Sequence, residues 1–217
     1  MIVTRTPFRI SFCGGGSDLP SFYREDGGCV LSTTIYKYFY LSLRPCFNSE
    51  EIVLKYSKIE TVSSIEEIQH DIFKSVLGDF GIKGLEIVCM PDIPSGMGLG
   101  SSSSFTVGLF HALYTYRKAP ISKELLAREA CNTEMNKLSF LGGKQDQYAA
   151  AYGGINFISF HPDESVTVEP LALSPETLQR FKENLLMFHV GGLHYSGEIH
   201  QEQDKNMSKR DKRENVK

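Results

Sequence analysis

Three glycines alternate with other residues directly before a run of four serines in segment 92–104, which reads DIPSGMGLGSSSS. Gly96, Gly98 and Gly100 can adopt positive φ angles and let the backbone approach a ligand closely. The first N–H groups of a following helix lack intrahelical acceptors and attract an anion, and serine hydroxyls add oxygens for a phosphate or a metal ion. The pattern therefore predicts a phosphate-binding loop, although a flexible turn with a serine cap is the commoner use of one glycine and one serine.

This loop differs from two familiar nucleotide-binding loops. A Walker A loop has a lysine after its last glycine, whereas Ser101 follows Gly100 here. A dinucleotide-binding turn reads G-x-G-x-x-G and has an acidic residue about 20 positions further on, where this chain has the basic segment 117–120. Both of those nucleotide-binding folds are therefore disfavoured.

Two carboxylates have positions that suit chemistry. Asp146 follows the glycine pair 142–143 and lies in the first turn of a predicted helix, where the helix dipole favours its ionised form. Such a carboxylate can take or orient the proton of an acceptor hydroxyl, yet on position alone a simple helix-start acid is favoured. Glu134 borders the inward face of another predicted helix and needs a partner there. That partner is either Mg²⁺ or a lysine such as Lys137 or Lys144.

Three ordered segments resemble the motifs of the GHMP kinases. Residues 9–18, RISFCGGGSD, are similar to the first motif, which lines the phosphoryl acceptor. Residues 94–103 are similar to the second motif, P-x-x-x-G-L-G-S-S-S. Residues 142–147, GGKQDQ, resemble the segment that carries the family's catalytic aspartate. Within the superfamily, the sequence of these segments most resembles that of the sugar kinases that act on heptose 7-phosphate.

The resemblance implies ATP-dependent phosphorylation of a sugar hydroxyl, specifically the anomeric hydroxyl of a heptose 7-phosphate. It places Mg²⁺ between Ser102 and Glu134. It implies catalytic roles for Asp146 and Arg9, although an arginine on an edge strand is otherwise a surface residue. The residues implied in binding the ATP phosphates are Pro94, Ser95, Gly96, Met97, Gly98, Leu99, Gly100, Ser101, Ser102 and Ser103.

The resemblance also implies where the small-molecule sugar phosphate binds. Asp18 matches the acid that binds sugar hydroxyls in galactokinase-like members. Gly15 and Gly16 replace the Glu and His of galactokinases, which argues against galactose and for a different or bulkier sugar, although a plain glycine turn is the alternative. Lys144 and Arg24 are the nearest candidates for a second, non-transferred phosphate. The residues implied in binding the acceptor are Gly14, Gly15, Gly16, Ser17, Asp18 and Lys144.

Composition excludes several other classes of protein. The chain has 217 residues, 41% of them hydrophobic, and a net charge of −3, which gives no general attraction to nucleic acid or to a membrane surface. No segment approaches the ~18 apolar residues of a membrane span. Five scattered cysteines without a C-x-x-C pair indicate neither a disulfide framework nor a zinc site. We therefore predict reduced thiols, a cytoplasmic location, and no nucleic-acid or membrane partner.

Periodicity predicts the elements that position these residues. The family resemblance implies an α/β fold with an antiparallel or mixed sheet, helices on one side, and a left-handed β-α-β unit that breaks the usual right-handed rule. The predicted strands are 3–12 (broken at Pro7), 30–44, 52–56, 85–90, 155–160, 165–171 and 185–190. The predicted helices are 64–78, 105–116, 122–137 and 144–152, followed by helix from 196.

The domain organisation is predicted from the family pattern. Residues 1–192 would form the N-terminal domain that binds ATP and sugar, and 193–217 would be a helical, charged tail. The family normally adds a second domain with a third glycine-rich motif, which we do not find after residue 192. A truncated C-terminal domain is therefore expected, with activity depending on a separate C-terminal half or a homo-oligomer. Two alternatives stay open: a non-catalytic nucleotide-binding half, and a translation-associated binding protein, which would need a basic face that the sequence lacks.

Overall fold

An unusually long strand organises the sheet. The computed structural model describes residues 1–188. Its strands are β1 (Ile2–Cys13), β2 (Gly28–Pro45), β3 (Ile52–Lys55), β4 (Ile59–Val62), β5 (Leu85–Pro91), β6 (Ile155–Phe160) and β7 (Val166–Pro170). Its α-helices are α1 (Pro20–Asp26), α2 (Asp71–Phe80), α3 (Ser101–Tyr116), α4 (Lys123–Cys131), α5 (Gln145–Tyr152) and α6 (Pro175–Glu183). A 3-10 turn spans Ile65–Glu67, and a π-helical segment, Asn132–Lys137, continues α4.

Strand β2 pairs with three other strands. Strand β1 follows one edge of β2 in antiparallel register, from Ile2 opposite Leu43 to Cys13 opposite Leu31. The other edge of β2 pairs with β5 through residues 39–45 and with β6 through residues 28–33. The order β4-β3-β5-β2-β6-β7 contains one parallel pair, β3 with β5, and is otherwise antiparallel. The predicted mixed α/β fold is therefore confirmed, whereas the left-handed crossover stays a prediction.

The main hydrophobic core lies between the sheet and helices α2, α3 and α4. Leu41 and Leu43 of β2 are both buried because alternate residues of a strand face the same side. Helix α3 is buried along most of its length, as its apolar composition predicts. A Cβ atom at Gly108 of α3 would lie 2.7 Å from Thr6 Oγ1, so this glycine lets the helix pack closely on β1.

Several element boundaries differ from the sequence predictions. Strand β1 is continuous through Pro7 because an edge strand can leave one N–H position unpaired. The predicted helix 64–78 is divided into the 3-10 turn and α2, and the predicted helix 122–137 changes to π-helical geometry after Cys131. Helices α1 and α6 and strand β4 were not predicted. For α6 the missed start signal is Ser174, whose Oγ accepts the Thr177 N–H, followed by Pro175.

Some predictions concern the end of the chain. Residues 185–188 are not in a strand, and the rest of the predicted strand 185–190 lies outside the described residues. The predicted helix from 196, the charged tail 193–217 and the domain boundary after 192 lie outside them too. Within residues 1–188, no helix combines the length and apolar composition that a membrane crossing requires.

Candidate active site

The glycine-rich loop joins β5 to α3 and has the backbone that its sequence predicts. Gly96, Gly98 and Gly100 have φ angles of 85°, 71° and 75°, which only glycine adopts without strain. The Ser104 N–H donates to Gly100 O at 3.0 Å and so makes the first bond of α3. The N–H groups of the preceding serines therefore lie ahead of the hydrogen-bonded helix, where they can receive an anion.

Arg9 connects this loop to Asp146. Its Nε donates to Asp146 Oδ1 at 2.6 Å and its Nη2 to Asp146 Oδ2 at 2.8 Å, which makes a bidentate pair. Its Nη1 donates to Gly98 O at 2.7 Å, and its backbone N–H donates to Leu99 O at 3.2 Å. A Cβ atom at Gly100 would lie 3.3 Å from both Arg9 Cγ and Asp146 Oδ2. Strand β1, the loop and the first turn of α5 therefore meet at one point.

Glu134 is buried and is bonded by uncharged donors. Ser102 Oγ, Ser103 Oγ and Thr106 Oγ1 donate to its carboxylate at 2.7, 2.9 and 2.8 Å, and Gln147 Nε2 donates to Oε2. Burial raises the pKa of Glu134, and these hydrogen bonds oppose the rise. The lysine alternative is not observed for this carboxylate, because Lys137 pairs with Asp79 and Lys144 with Glu164.

The π-helical segment brings Glu134 to this position. Leu138 N–H donates to Thr133 O across five residues at 3.0 Å, which widens the helical turn. Thr133 and Glu134, which lie in this widened turn, are both buried. The sequence predicted an inward-facing Glu134. The widened turn and three of the four hydrogen-bond partners of Glu134 were not predicted.

The oxygen atoms around Glu134 suit a hard divalent cation. The set comprises the Glu134 carboxylate, the serine and threonine hydroxyls, and Gln147 Oε1, which is buried without a hydrogen-bond partner among the described residues. Mg²⁺ favours oxygen ligands of this type and normally keeps waters and substrate phosphates as further ligands. Residues 1–188 contain no cluster of three His, Cys, Asp or Glu side chains that would bind a metal independently of a nucleotide.

Asp18 connects the two segments that were predicted to contact the acceptor. Its Oδ1 accepts the Gly16 N–H at 3.0 Å and Gln145 Nε2 at 3.3 Å, and its Oδ2 accepts the Gln145 N–H at 3.2 Å. A Cβ atom at Gly143 would lie 1.8 Å from Asp18 Oδ2, so this close approach requires glycine. Burial, followed by the nearby charge of Asp146, raises the pKa of Asp18. A sugar contact from Asp18 stays a prediction.

Ser17 is also engaged within the protein. Its Oγ lies 2.7 Å from Gly14 O and 2.8 Å from Cys29 O, and it accepts the Cys29 N–H at 3.0 Å. These contacts hold the glycine segment against the beginning of β2. The local role of Ser17 is therefore to shape the turn, and its direct contact with a sugar stays a prediction.

The two cations considered for a second phosphate both pair with Glu164. Lys144 Nζ lies 2.6 Å from Glu164 Oε2 and 4.6 Å from the centre of the Tyr23 ring. Arg24 Nε contacts Glu164 Oε1 at 2.7 Å, and Tyr23 OH donates to Oε2 at 2.6 Å. Both cations thus share one carboxylate in the β6–β7 turn, and a contact of either with a phosphate stays a prediction. No local sequence pattern indicates this role of Glu164, which has a positive φ of 71°.

The Glu164 cluster gives a pH-dependent prediction. Although partial burial opposes ionisation, hydrogen bonds from Lys144, Tyr23 and Arg24 lower the pKa of Glu164 from 4.5 to about 2. Its stabilising contribution is therefore complete above pH 4.5 and is lost as the pH falls towards about 2. We expect Glu164→Gln to lower the free energy of unfolding at neutral pH by about 1 kcal/mol, because the carboxylate is partly exposed.

Urea unfolding across the acid range measures this effect. Glu50→Gln, on an exposed loop, is the matched control and should differ little from the unmodified chain at any pH. The stability difference for Glu164→Gln should diminish as the pH falls through that range. A difference that is constant with pH would show that the Glu164 charge is not responsible.

One cavity brings most of the predicted residues together. It has a volume of 1430 Å³, and its wall includes Arg9, Asp18, Glu134 and Asp146. The loop residues in its wall are Pro94, Ser95, Gly96, Gly98, Leu99, Gly100, Ser101, Ser102 and Ser103. Met97, Lys144 and residues 14–17 do not line it.

Beyond the loop, the same cavity has an aromatic wall that was not predicted. The His70 ring lies 5.0 Å from Tyr56, 5.1 Å from Phe73 and 5.4 Å from Phe105, measured between ring centres. Tyr56 follows β3, His70 and Phe73 lie at the start of α2, and Phe105 lies in the second turn of α3. The sequence spacing of these residues indicates only ordinary packing. The wall therefore depends on how these three elements come together.

Comparisons with known proteins agree with the resemblance of the motifs. Residues 64–154 match the family model for the GHMP kinases N terminal domain. A GHMP kinase N-terminal domain is therefore the class of domain to which this part of the chain is similar.

The similar proteins include sugar kinases. The chain is 34% identical to the D-glycero-alpha-D-manno-heptose 7-phosphate kinase of Campylobacter jejuni over 79% of this chain and 54% of that protein. It is 26% identical to the galactokinase of Pyrococcus furiosus over 88% of this chain and 53% of that protein. The chain thus spans about half the length of these curated relatives.

A solved structure of another sugar kinase is also similar to this chain. The crystal structure of a D-glycero-D-manno-heptose 1-phosphate kinase from Bacteroides thetaiotaomicron superposes with a TM-score of 0.73 at 29% identity. The match covers 80% of this chain and 61% of that one. The names of these two heptose phosphate kinases give different phosphate positions, 7-phosphate for the curated relative and 1-phosphate for the solved structure. The substrate of this chain is therefore a matter of proposal.

Proposed function

We propose that this domain binds ATP and a sugar phosphate and transfers the γ-phosphoryl group to a sugar hydroxyl, specifically the anomeric hydroxyl of a heptose 7-phosphate. The observation that carries the proposal is the contact of Arg9 with both Asp146 and the carbonyl of Gly98. This contact holds a carboxylate beside a loop suited to phosphates. Transfer of a phosphoryl group depends mainly on positioning and on compensation of charge, which such an arrangement supplies.

Each part of the cavity has a role in this proposal. The phosphates bind at the loop and the start of α3, while the aromatic wall around His70 receives the base of the nucleotide. Asp146 orients the acceptor hydroxyl and takes its proton, and Arg9 compensates for negative charge on the carboxylate and the transferring group. Ser102 and Glu134 hold Mg²⁺, which neutralises phosphate charge when it is bound.

Calorimetric titration of this chain with ATP and Mg²⁺ tests the first step of the proposal. A turnover assay then compares heptose 7-phosphates with galactose and fucose, because the curated relatives include galactokinases and fucokinases. We expect ATP binding and a preference for the heptose phosphate. Absence of ATP binding would refute the proposal. ATP binding without turnover of any sugar, even with a separately produced C-terminal domain, would instead favour the non-catalytic nucleotide-binding domain.

A substitution at Glu134 tests the proposed cation site. Glu134→Gln keeps the shape of the side chain but removes the charge that a hard cation requires. We expect the Mg²⁺ concentration for half-maximal ATP binding to rise roughly ten-fold, since charged contacts are stronger than neutral ones. The measurement is a titration of Mg²⁺ at a fixed ATP concentration.

Glu124→Gln provides the matched control for that titration. Glu124 lies earlier on the same helical unit and accepts hydrogen bonds from Tyr148 and Tyr152 rather than from the loop serines. Its substitution should leave the Mg²⁺ midpoint unchanged. If Glu134→Gln also leaves it unchanged, Glu134 serves only to hold the serines in place.

A further inference from the structure

Asp146 lies between two buried glutamines whose side chains are tethered in the same way. Gln145 and Gln147 are 7% and 4% exposed. The amide nitrogen of Gln145 donates to Asp18, and the amide nitrogen of Gln147 donates to Glu134. The amide oxygen of each is buried and has no hydrogen-bond partner within residues 1–188.

The tethers determine which end of each amide is left without a partner. Asp18 already accepts the backbone N–H groups of Gly16 and Gln145, so its carboxylate acts here as an acceptor. The Gln145 side chain must therefore direct its N–H₂ group towards Asp18, which leaves Oε1 to accept another hydrogen bond. A buried acceptor without a donor is destabilising, so an arrangement of this kind favours a ligand that supplies the donor.

The two tethers connect the neighbours of Asp146 to different parts of the proposed site. Gln147 is bonded to Glu134, which also contacts the loop serines, and so belongs to the nucleotide and cation side. Gln145 is bonded to Asp18, which holds the segment 14–18 against the Gly142–Gly143 turn, and it lines the cavity. An uncharged amide oxygen at that position suits a hydroxyl donor rather than a phosphate, which would itself present only acceptor oxygens.

We infer that Gln145 is a specificity-determining residue for the acceptor, and that its Oε1 accepts a hydrogen bond from a hydroxyl of a polyhydroxylated substrate. The inference rests on the proposed sugar kinase function and names the group that distinguishes one sugar from another. Gln147 has the corresponding tether on the nucleotide side and serves as the matched comparison.

Calorimetry with two ligands tests the inference on this chain. Heptose 7-phosphate and ATP with Mg²⁺ are titrated separately into the unmodified chain, Gln145→Met and Gln147→Met. Methionine keeps a similar length and volume, and Asp18 retains two backbone donors in Gln145→Met, so the fold should persist. We expect Gln145→Met to bind the sugar phosphate about ten-fold more weakly while ATP affinity changes less than about two-fold. Gln147→Met should show the opposite pattern.

A second measurement does not depend on the stability of a variant. Monodeoxy analogues of the heptose phosphate are titrated into the unmodified chain, and one analogue should lose affinity to the same extent as the Gln145→Met substitution. Gln145→Met should not bind that analogue more weakly than it binds the complete sugar, because the substitution has already removed the hydrogen bond.

The outcomes separate this inference from the proposed function. If the unmodified chain binds ATP but no sugar phosphate, the proposed function fails and this inference fails with it. If the unmodified chain binds the sugar and Gln145→Met binds it equally well, the inference alone is overturned. Equal loss of ATP and sugar affinity in Gln145→Met would also overturn it, since that result indicates a purely structural role.

Discussion

Asp146→Asn is expected to reduce turnover by about 10²–10⁴ while leaving ATP affinity within a few-fold. An amide cannot take a proton from the acceptor hydroxyl, although its oxygen can still accept a hydrogen bond from Arg9. Nucleotide binding should be retained because, in the proposed complex, the phosphates would contact the loop and the start of α3, whereas the Asp146 carboxylate is hydrogen-bonded to Arg9. Initial rates and ATP calorimetry measure the two effects separately.

The control for this experiment is Asp163→Asn. Asp163 lies in the β6–β7 turn and bonds to Ser165, away from the cavity. Rates should be measured with the chain alone and, if required, with a separately produced C-terminal domain. Near-normal turnover by Asp146→Asn, in an assay where the unmodified chain is active, would remove Asp146 from the chemistry.

Gly100→Ala is expected to lower turnover by about 10² or more. The φ angle of 75° at this position costs an alanine about 1–2 kcal/mol. The new methyl group would in addition lie 3.3 Å from both Arg9 Cγ and Asp146 Oδ2, so the ion pair would have to shift by a few tenths of an ångström. Small displacements of reacting groups have large effects on rate.

Gly98→Ala separates these two causes. Gly98 has a similar φ angle of 71°, but a Cβ atom there would meet nothing within 4 Å. Thermal unfolding should show a comparable loss of stability in both variants, whereas steady-state kinetics should show the larger rate loss in Gly100→Ala. Equal rate losses would mean that backbone strain in the loop, and not crowding of Arg9 and Asp146, controls activity.

The two carboxylates of the site differ in how they are neutralised. Asp146 is paired with a guanidinium, whereas Glu134 is surrounded by hydroxyl and amide donors that a bound cation could rearrange. A hydroxyl can turn to offer a lone pair in place of its hydrogen, which a guanidinium cannot do. This difference supports the proposal that Glu134, and not Asp146, contacts the cation.

Features that follow from local rules could be predicted from the sequence. The positive φ angles of the loop follow from glycine, and the buried helix α3 follows from its apolar composition. Contacts between side chains that are distant in the sequence could not be predicted in this way. Lys144 was considered for a phosphate contact, but it pairs with Glu164 across 20 residues of sequence, and no local pattern indicates that partner.

The sequence by itself determined the glycine-rich loop and the residue types of the site, because backbone preferences act over a few residues, and its three motifs indicated the class of domain through their resemblance to a family. Only the tertiary structure decided which of these residues meet. Arg9 and Asp146 are 137 positions apart, and their pairing depends on β1 and α5 packing against the same loop. The orientation of Gln145 likewise depends on Asp18, 127 positions earlier, because a buried amide takes the direction that its distant partner imposes.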